Sequence, residues 1–501
     1  MTSSIERLSI ELIYRILSHI DDVTIVLSCR NVCQRLNSII ETYERYRKLN
    51  FIHLTSNRIS SNCLLCLGNI LRRNQVLKIL KIDCVQLNTQ AEQDLFEELL
   101  KNQTLTTLYL CWNRISSQGI QSLANVILHN QTLIELHIEG NHLDSEGIKH
   151  LSSSLQLNQT LTILHLKFNQ IGSQNIKDLA KSLEKNQTLI KLYLGFNKLG
   201  YEGSNYLTNC LGNNRTIKIM NLENNQISDR GIEYFHDFLQ LNQTLTTLDL
   251  SLNDIGVKGA KSLSNILFQN KTITTLNLNF NHIGVQGIQS IAMSLSKNQT
   301  LLTLQLKHNQ IFDQGTFFIA DALMKNHTLT VLHLEENSIG IEGAQYLANA
   351  LKRNQTLSEL HLGMNSIEFQ GVKYFVNALL INQTLKELYF EKNNIGLKGI
   401  QAFAELLRKN QTLKTLDLSN NGITDRGIEC LISMLAENQA LTTLNLRSNY
   451  ITVHGAMHFF QNLRDNNILN TIDLSDNRIV TDGHEHLLSV YENTRNLNVI
   501  F

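Results

Sequence analysis

Imidazoles and thiols are the groups of this chain most able to do chemistry, and several recur at a fixed interval. His137 and His165 are offset by 28 in the numbering, as are His333 and His361, the second pair with Glu335 and Glu336 nearby. Imidazole and carboxylate are metal ligands, but a metal site needs three or four of them converging. Two histidines in a row on an open sheet fall short, so the expectation is no metal and no cofactor. Cys63-x-x-Cys66 is a single CxxC with no second pair to complete a zinc set. Eight cysteines are scattered along the chain, and in a reducing compartment they behave as small hydrophobes. The sequence contains no phosphate loop, nucleophile elbow or paired metal motif. The expectation is therefore a binding protein and not an enzyme.

The interval that spaces the histidines runs through almost the whole chain. LTTLYLCWNRI begins at Leu105, LIELHIEGNHL at Leu133 and LTILHLKFNQI at Leu161, each at that same offset from the last. One asparagine marks each repeat, from Asn113 through Asn281 to Asn477 without a break in phase. Two upstream repeats fit as well, one with Asn57 and one with Val85 where asparagine belongs. That makes sixteen repeats, from Leu49 to about residue 496.

Each repeat changes periodicity halfway. LxxLxL alternates apolar and polar residues, as a short strand does. After the asparagine, residues such as Gly119, Ile120, Leu123 and Ile127 follow helical spacing. A strand–turn–helix unit of this size cannot bury its apolar face alone, so neighbours must stack, with a parallel sheet on one side and helices on the other. The asparagine amide both donates and accepts at the bend leaving the strand. Glycine follows six residues later in thirteen of the sixteen repeats, where chain and helix approach closely; Cys63, Ala91 and Asn175 are the exceptions.

Asn-x-Thr recurs in the same return loop of twelve repeats, from Asn102 to Asn410. On a secreted chain this would be a glycosylation acceptor. Its strict period points instead to a structural role, with asparagine ending the helix and threonine bonding the turn.

The residues between the buried leucines vary as the scaffold does not. Tyr109, Trp112, His137, Glu139, His165, Lys167, Phe168, Tyr193 and Phe196 lie on consecutive repeats and predict one contiguous partner-binding patch. Exposed aromatics flanked by charge are the makeup of an interface hot spot.

Lys+Arg and Asp+Glu both number 44, which argues against nucleic acid as a partner. No apolar run is long enough to span a membrane, and the N-terminus has no signal-peptide pattern. The cytoplasm is the expected location, with the nucleus left open. Proline is absent altogether, for which there is no physical account.

Residues 1–45 do not follow the repeat. Leu12, Ile16 and Ile20 share a helical face, Ser9 is an N-cap candidate, and Asp21-Asp22 break the pattern. Three short helices are expected, forming a piece that covers the open end of the stack or docks on a partner.

The repeats resemble leucine-rich repeats of the ribonuclease-inhibitor subfamily, over about nine-tenths of the chain. The resemblance implies an α/β horseshoe solenoid over residues 46–501, sheet inside and helices outside, with the patch on its concave face. The N-terminal module resembles an F-box: Leu8, Glu11, Leu12, Ile16, Leu17, Ile20 and Val32-Cys33 match the family pattern. Ser9 stands where proline is usual, and Leu36 near where tryptophan is usual. An F-box implies that these residues dock on a Skp-type adaptor of a cullin-containing ubiquitin ligase, with the repeats holding an unidentified protein substrate. The repeat type alone also resembles stand-alone ribonuclease-inhibitor-like or innate-receptor-like binding proteins. It is shared too with Ran-type GTPase-activating proteins, whose acidic tail this chain lacks.

Overall fold

The computed structural model describes residues 49–55, 67, 71, 72, 74–85, 87–435, 437–463, 466–479 and 497–500. The F-box-like residues Leu8 to Cys33, Asn57 and the Cys63–Cys66 pair lie outside them. The chain divides into two compact units, one ending at Ile227 with the addition of Asp237–Leu248, the other holding Ser228–His236 and everything from Asp249.

In the first unit, strands Phe51–Thr55, Ile79–Asp83, Thr107–Tyr109, Glu135–His137, Ile163–His165, Lys191–Tyr193 and Ile219–Asn221 pair in parallel, each with the next. In the second, parallel pairing runs from Thr275–Asn277 to Asn498–Ile500. A helix follows most strands, such as Ser117–His129 after Thr107–Tyr109. This is the leucine-rich-repeat solenoid that the sequence predicts.

After the two five-residue strands Phe51–Thr55 and Ile79–Asp83, only the third to fifth residues of each described LxxLxL segment form a strand. Their central leucine is buried, as Leu108, Leu136 and Leu164 are, and packs toward the helices. Side chains alternate across a strand, so the residues on either side of that leucine face the opposite surface. The register shifts by one whole repeat per strand and places like positions side by side: Tyr109 beside His137, His137 beside His165, His165 beside Tyr193.

Two asparagine ladders hold the repeats together. At the bend, Asn169 Nδ2 donates to the carbonyls of Ile138 and Leu166, and its Oδ1 accepts the Asn141 N–H. Val85 continues the pattern as far as it can, its N–H donating to Asn113 Oδ1. In the return loop, Asn158 Nδ2 donates to the Ile127 carbonyl of the preceding repeat, while Oδ1 accepts the N–H groups of Thr160 and Leu161. All twelve Asn-x-Thr asparagines are buried, and buried amides committed to backbone partners are no glycan acceptors. The structural reading holds. Most of the glycines six residues after the bend asparagine leave little room for a side chain; a Cβ on Gly287 would lie 2.9 Å from Ala260 Cβ.

Candidate functional site

The aromatic and charged residues expected on the sheet face divide into two columns. Tyr109, His137, His165 and Tyr193 end their strands. Their rings stack face to face at centroid separations of 3.9, 3.9 and 4.0 Å. Strands about 4.8 Å apart force like positions into contact, and slight tilting closes the rings further. The stack covers most of its own surface: the His137 side chain is 10% exposed.

Trp112, Phe168 and Phe196 form the second column, and here the expectation needs correction. They are not strand residues. Each precedes the bend asparagine in the left-handed region, with φ of 60°, 59° and 58°. Every described repeat bends this way, so the strand ends at Tyr109, three residues earlier than an extended reading of LYLCW allows. The bend turns these rings outward: Trp112 is 48% and Phe168 36% exposed. Phe168 stacks on Phe196 at 4.1 Å and meets Trp112 at 5.5 Å. Of the nine residues expected in the patch, only Trp112 and Phe168 are exposed; the tyrosine–histidine column beside them is partly covered.

The charged members are paired. His137 Nε2 lies 2.9 Å from Glu135 Oε1, and His165 Nδ1 lies 3.4 Å from Glu139. Cys111 Sγ donates to Glu139 Oε2. Burial, reinforced by the Glu139 charge, pushes the Cys111 thiol well above its usual range. Burial and the neighbouring His165 together hold the His137 imidazolium below its ordinary pKa. Lys167 Nζ reaches Glu223, two repeats away, at 2.9 Å. Glu135 and Glu223 were missed from sequence, although Glu135 occupies the strand position two before His137 and so faces the same side. Of the other described thiols, Cys84 does not behave as a buried hydrophobe: it sits at a left-handed bend and is exposed.

A second histidine stack occupies the other unit. His333, His361 and Tyr389 stack at 3.8 and 4.0 Å. His333 Nδ1 lies 3.1 Å and His361 Nδ1 3.8 Å from the same oxygen, Glu335 Oε1, while His361 Nε2 lies 2.6 Å from Glu359 Oε1. Glu336, grouped with these histidines by sequence proximity, turns away at the bend toward Lys307 and His308. Burial pushes Glu335 up, but its hydrogen bond to His333 and the two imidazoles outweigh this and keep it below the usual carboxylate range. Glu391 Oε2 has no hydrogen-bond partner among the described residues. Burial, with Asp417 and Glu335 adding repulsion, pushes its carboxyl up to about 7.

Comparison with known proteins bears on both ends of the chain. An F-box domain model matches residues 5–48. A leucine-rich-repeat model matches five segments between residues 213 and 348, and the TMOD/LMOD leucine-rich domain matches 85–205 and 391–497. The chain is an F-box/leucine-rich-repeat protein. Similar solved structures include leiomodin-1 actin-binding site 2, 21% identical over 30% of this chain and 88% of that one, with a TM-score of 0.27. The Rad7 and Elc1 complex in yeast is 17% identical over 82% of this chain and 92% of that one, with a TM-score of 0.46. No curated protein matches. In this F-box/leucine-rich-repeat protein the repeats form an interaction scaffold. The F-box points to a Skp-type adaptor as its partner.

Proposed function

We propose that this chain is the substrate receptor of a Skp–cullin–F-box ubiquitin ligase and acts by positioning, not by catalysis. The F-box match at residues 5–48, directly ahead of the repeats, carries the proposal. In this reading the F-box engages the adaptor, the adaptor joins a cullin, and the repeats hold the target protein. The exposed Trp112 and Phe168, on a floor of stacked rings, supply the target-binding anchors, since large rings set among satisfied polar groups dominate interface energetics. Ubiquitin transfer takes place on other subunits, within the cell.

Affinity capture with the full-length chain, beside a chain lacking residues 1–45, tests it. Adaptor and cullin should co-purify with the full chain and be lost on deletion, while the repeats keep their circular dichroism spectrum and melting profile. Capture that survives the deletion, or that never occurs with the full chain, defeats the ligase reading.

A further inference from the structure

We propose that His333, Glu335 and His361 form a binding site for a zinc-like divalent transition-metal ion. The three ligand atoms lie within 4.8 Å of one another. Both imidazoles turn the same nitrogen, Nδ1, toward Glu335 Oε1, at 3.1 and 3.8 Å. Tetrahedral zinc with bonds of about 2.1 Å separates its ligand atoms by roughly 3.4 Å, and the observed pair of distances brackets that value. The two rings are stacked at 3.8 Å, so binding requires them to turn out of the stack until both Nδ1 lone pairs converge on the ion; the side chains involved are at most 20% exposed. Ligating imidazoles and carboxylates must be free of protons, which makes the affinity fall at low pH.

Two further observations support this cluster, and the second sets it apart. His361 Nε2 donates to Glu359 at 2.6 Å, which directs the Nδ1 lone pair of the neutral ring into the site. A carboxylate behind a ligating histidine is the usual means of fixing its tautomer and orientation. Glu335 Oε2 and Glu391 Oε2 are also buried with no hydrogen-bond partner among the described residues. Glu391 lies across Gly363, where an added Cβ would overlap its carboxylate. Two carboxylates so placed concentrate negative charge that a cation offsets, and buried unpaired acceptors are costly otherwise. The corresponding cluster of Glu135, His137 and His165 lacks this feature, because the neighbouring Glu139 is bonded by Cys111 and His165. Three protein ligands leave one coordination position open toward solvent. Nitrogen and oxygen donors favour zinc, cobalt or nickel over magnesium.

Calorimetric titration of the tag-free, chelator-stripped, full-length chain with zinc chloride tests the site, with magnesium chloride as a parallel titrant. One equivalent of zinc should bind and magnesium should not compete. His333→Ala with His361→Ala should weaken binding at least about 100-fold, and Glu359→Gln about 10–100-fold. His137→Ala with His165→Ala should leave it unchanged. Circular dichroism in chelator checks that each variant folds; if the double variant does not, Glu335→Gln takes its place with the same expected loss. Zinc bound equally well by the parent and by the folded ligand variants overturns the proposal, as does a parent that binds none.

Discussion

Trp112 lies across Gly140 and meets Phe168 two repeats further on, at 5.5 Å between ring centroids. A Cβ on Gly140 would come within 2.4 Å of the indole. A gap in the middle repeat thus lets side chains from the two flanking repeats reach each other. Lys167 reaches Glu223 past Gly195 in the same way, and Glu391 occupies the space above Gly363. Glycines on the sheet face therefore decide which residues join into one surface.

Gly140→Ala should separate Trp112 from Phe168. Other repeats carry ordinary side chains at this left-handed bend, so the backbone cost is roughly the 1–2 kcal/mol of an alanine in that region and the fold should persist. Trp112 is the single tryptophan of the chain, which makes intrinsic fluorescence a direct readout. Red-shifted emission and stronger acrylamide quenching are expected. A spectrum identical to the parent's would show that the indole does not depend on the gap.

Trp112→Ala together with Phe168→Ala should weaken binding of the target by at least about 2 kcal/mol with little loss of stability. Both rings are exposed, and neither belongs to the buried leucine set. The matched control is Gln121→Ala with Lys149→Ala on the helix side, expected to be silent. Once a target is in hand, surface plasmon resonance decides. Affinity kept by the aromatic pair but lost by the helix-side pair would move recognition to the opposite face.

Asn281→Ala should cost about 1–3 kcal/mol. Its Nδ2 donates to the Leu250 and Leu278 carbonyls, and its Oδ1 accepts the N–H groups of Asn253 and Ile255. Alanine fills none of these roles and leaves buried backbone groups unpaired. Chemical denaturation followed by circular dichroism measures the loss. An unchanged midpoint would mean that the ladder is dispensable at this repeat.

The asparagine ladder was legible because its period is strict and its chemistry local: an amide at a bend both donates and accepts. The return-loop asparagines were readable on the same grounds. The face carrying the tyrosine–histidine column followed from alternation about Leu108 and Leu136. What the sequence concealed is conformational or spans two repeats. The left-handed backbone at Trp112 and Phe168 accepts aromatic, acidic and basic residues alike, so no residue type announces it. Glu391 leans across Gly363 only because the register stacks like positions of successive repeats, whereas Glu359, two residues before His361 on the same strand, was within reach of the alternation argument and was overlooked. A linear reading grouped Glu336 with the histidines because it is near in sequence, yet the bend after Glu335 turns it away.

Glu391 makes stability depend on pH. Its carboxyl titrates near 4.5 when free and about 7 in the folded chain. Below pH 4.5 both states hold the proton. Between 4.5 and 7 the unfolded chain has released it while the folded chain retains it, so the folded state binds more protons and stability falls as pH rises. Above 7 both are ionised and the loss levels off. Glu391→Gln removes the charge but keeps the shape, so its advantage over the parent should be small at pH 4.5 and full by pH 8. Solvent reaches part of this carboxyl, so the gain is of the order of 1 kcal/mol and not the full value of the shift. Paired denaturation midpoints at the two pH values, measured with chelator present to keep metal from masking the charge, check the sign. A gap between variant and parent that is the same at both would show that burial does not hold the proton on Glu391.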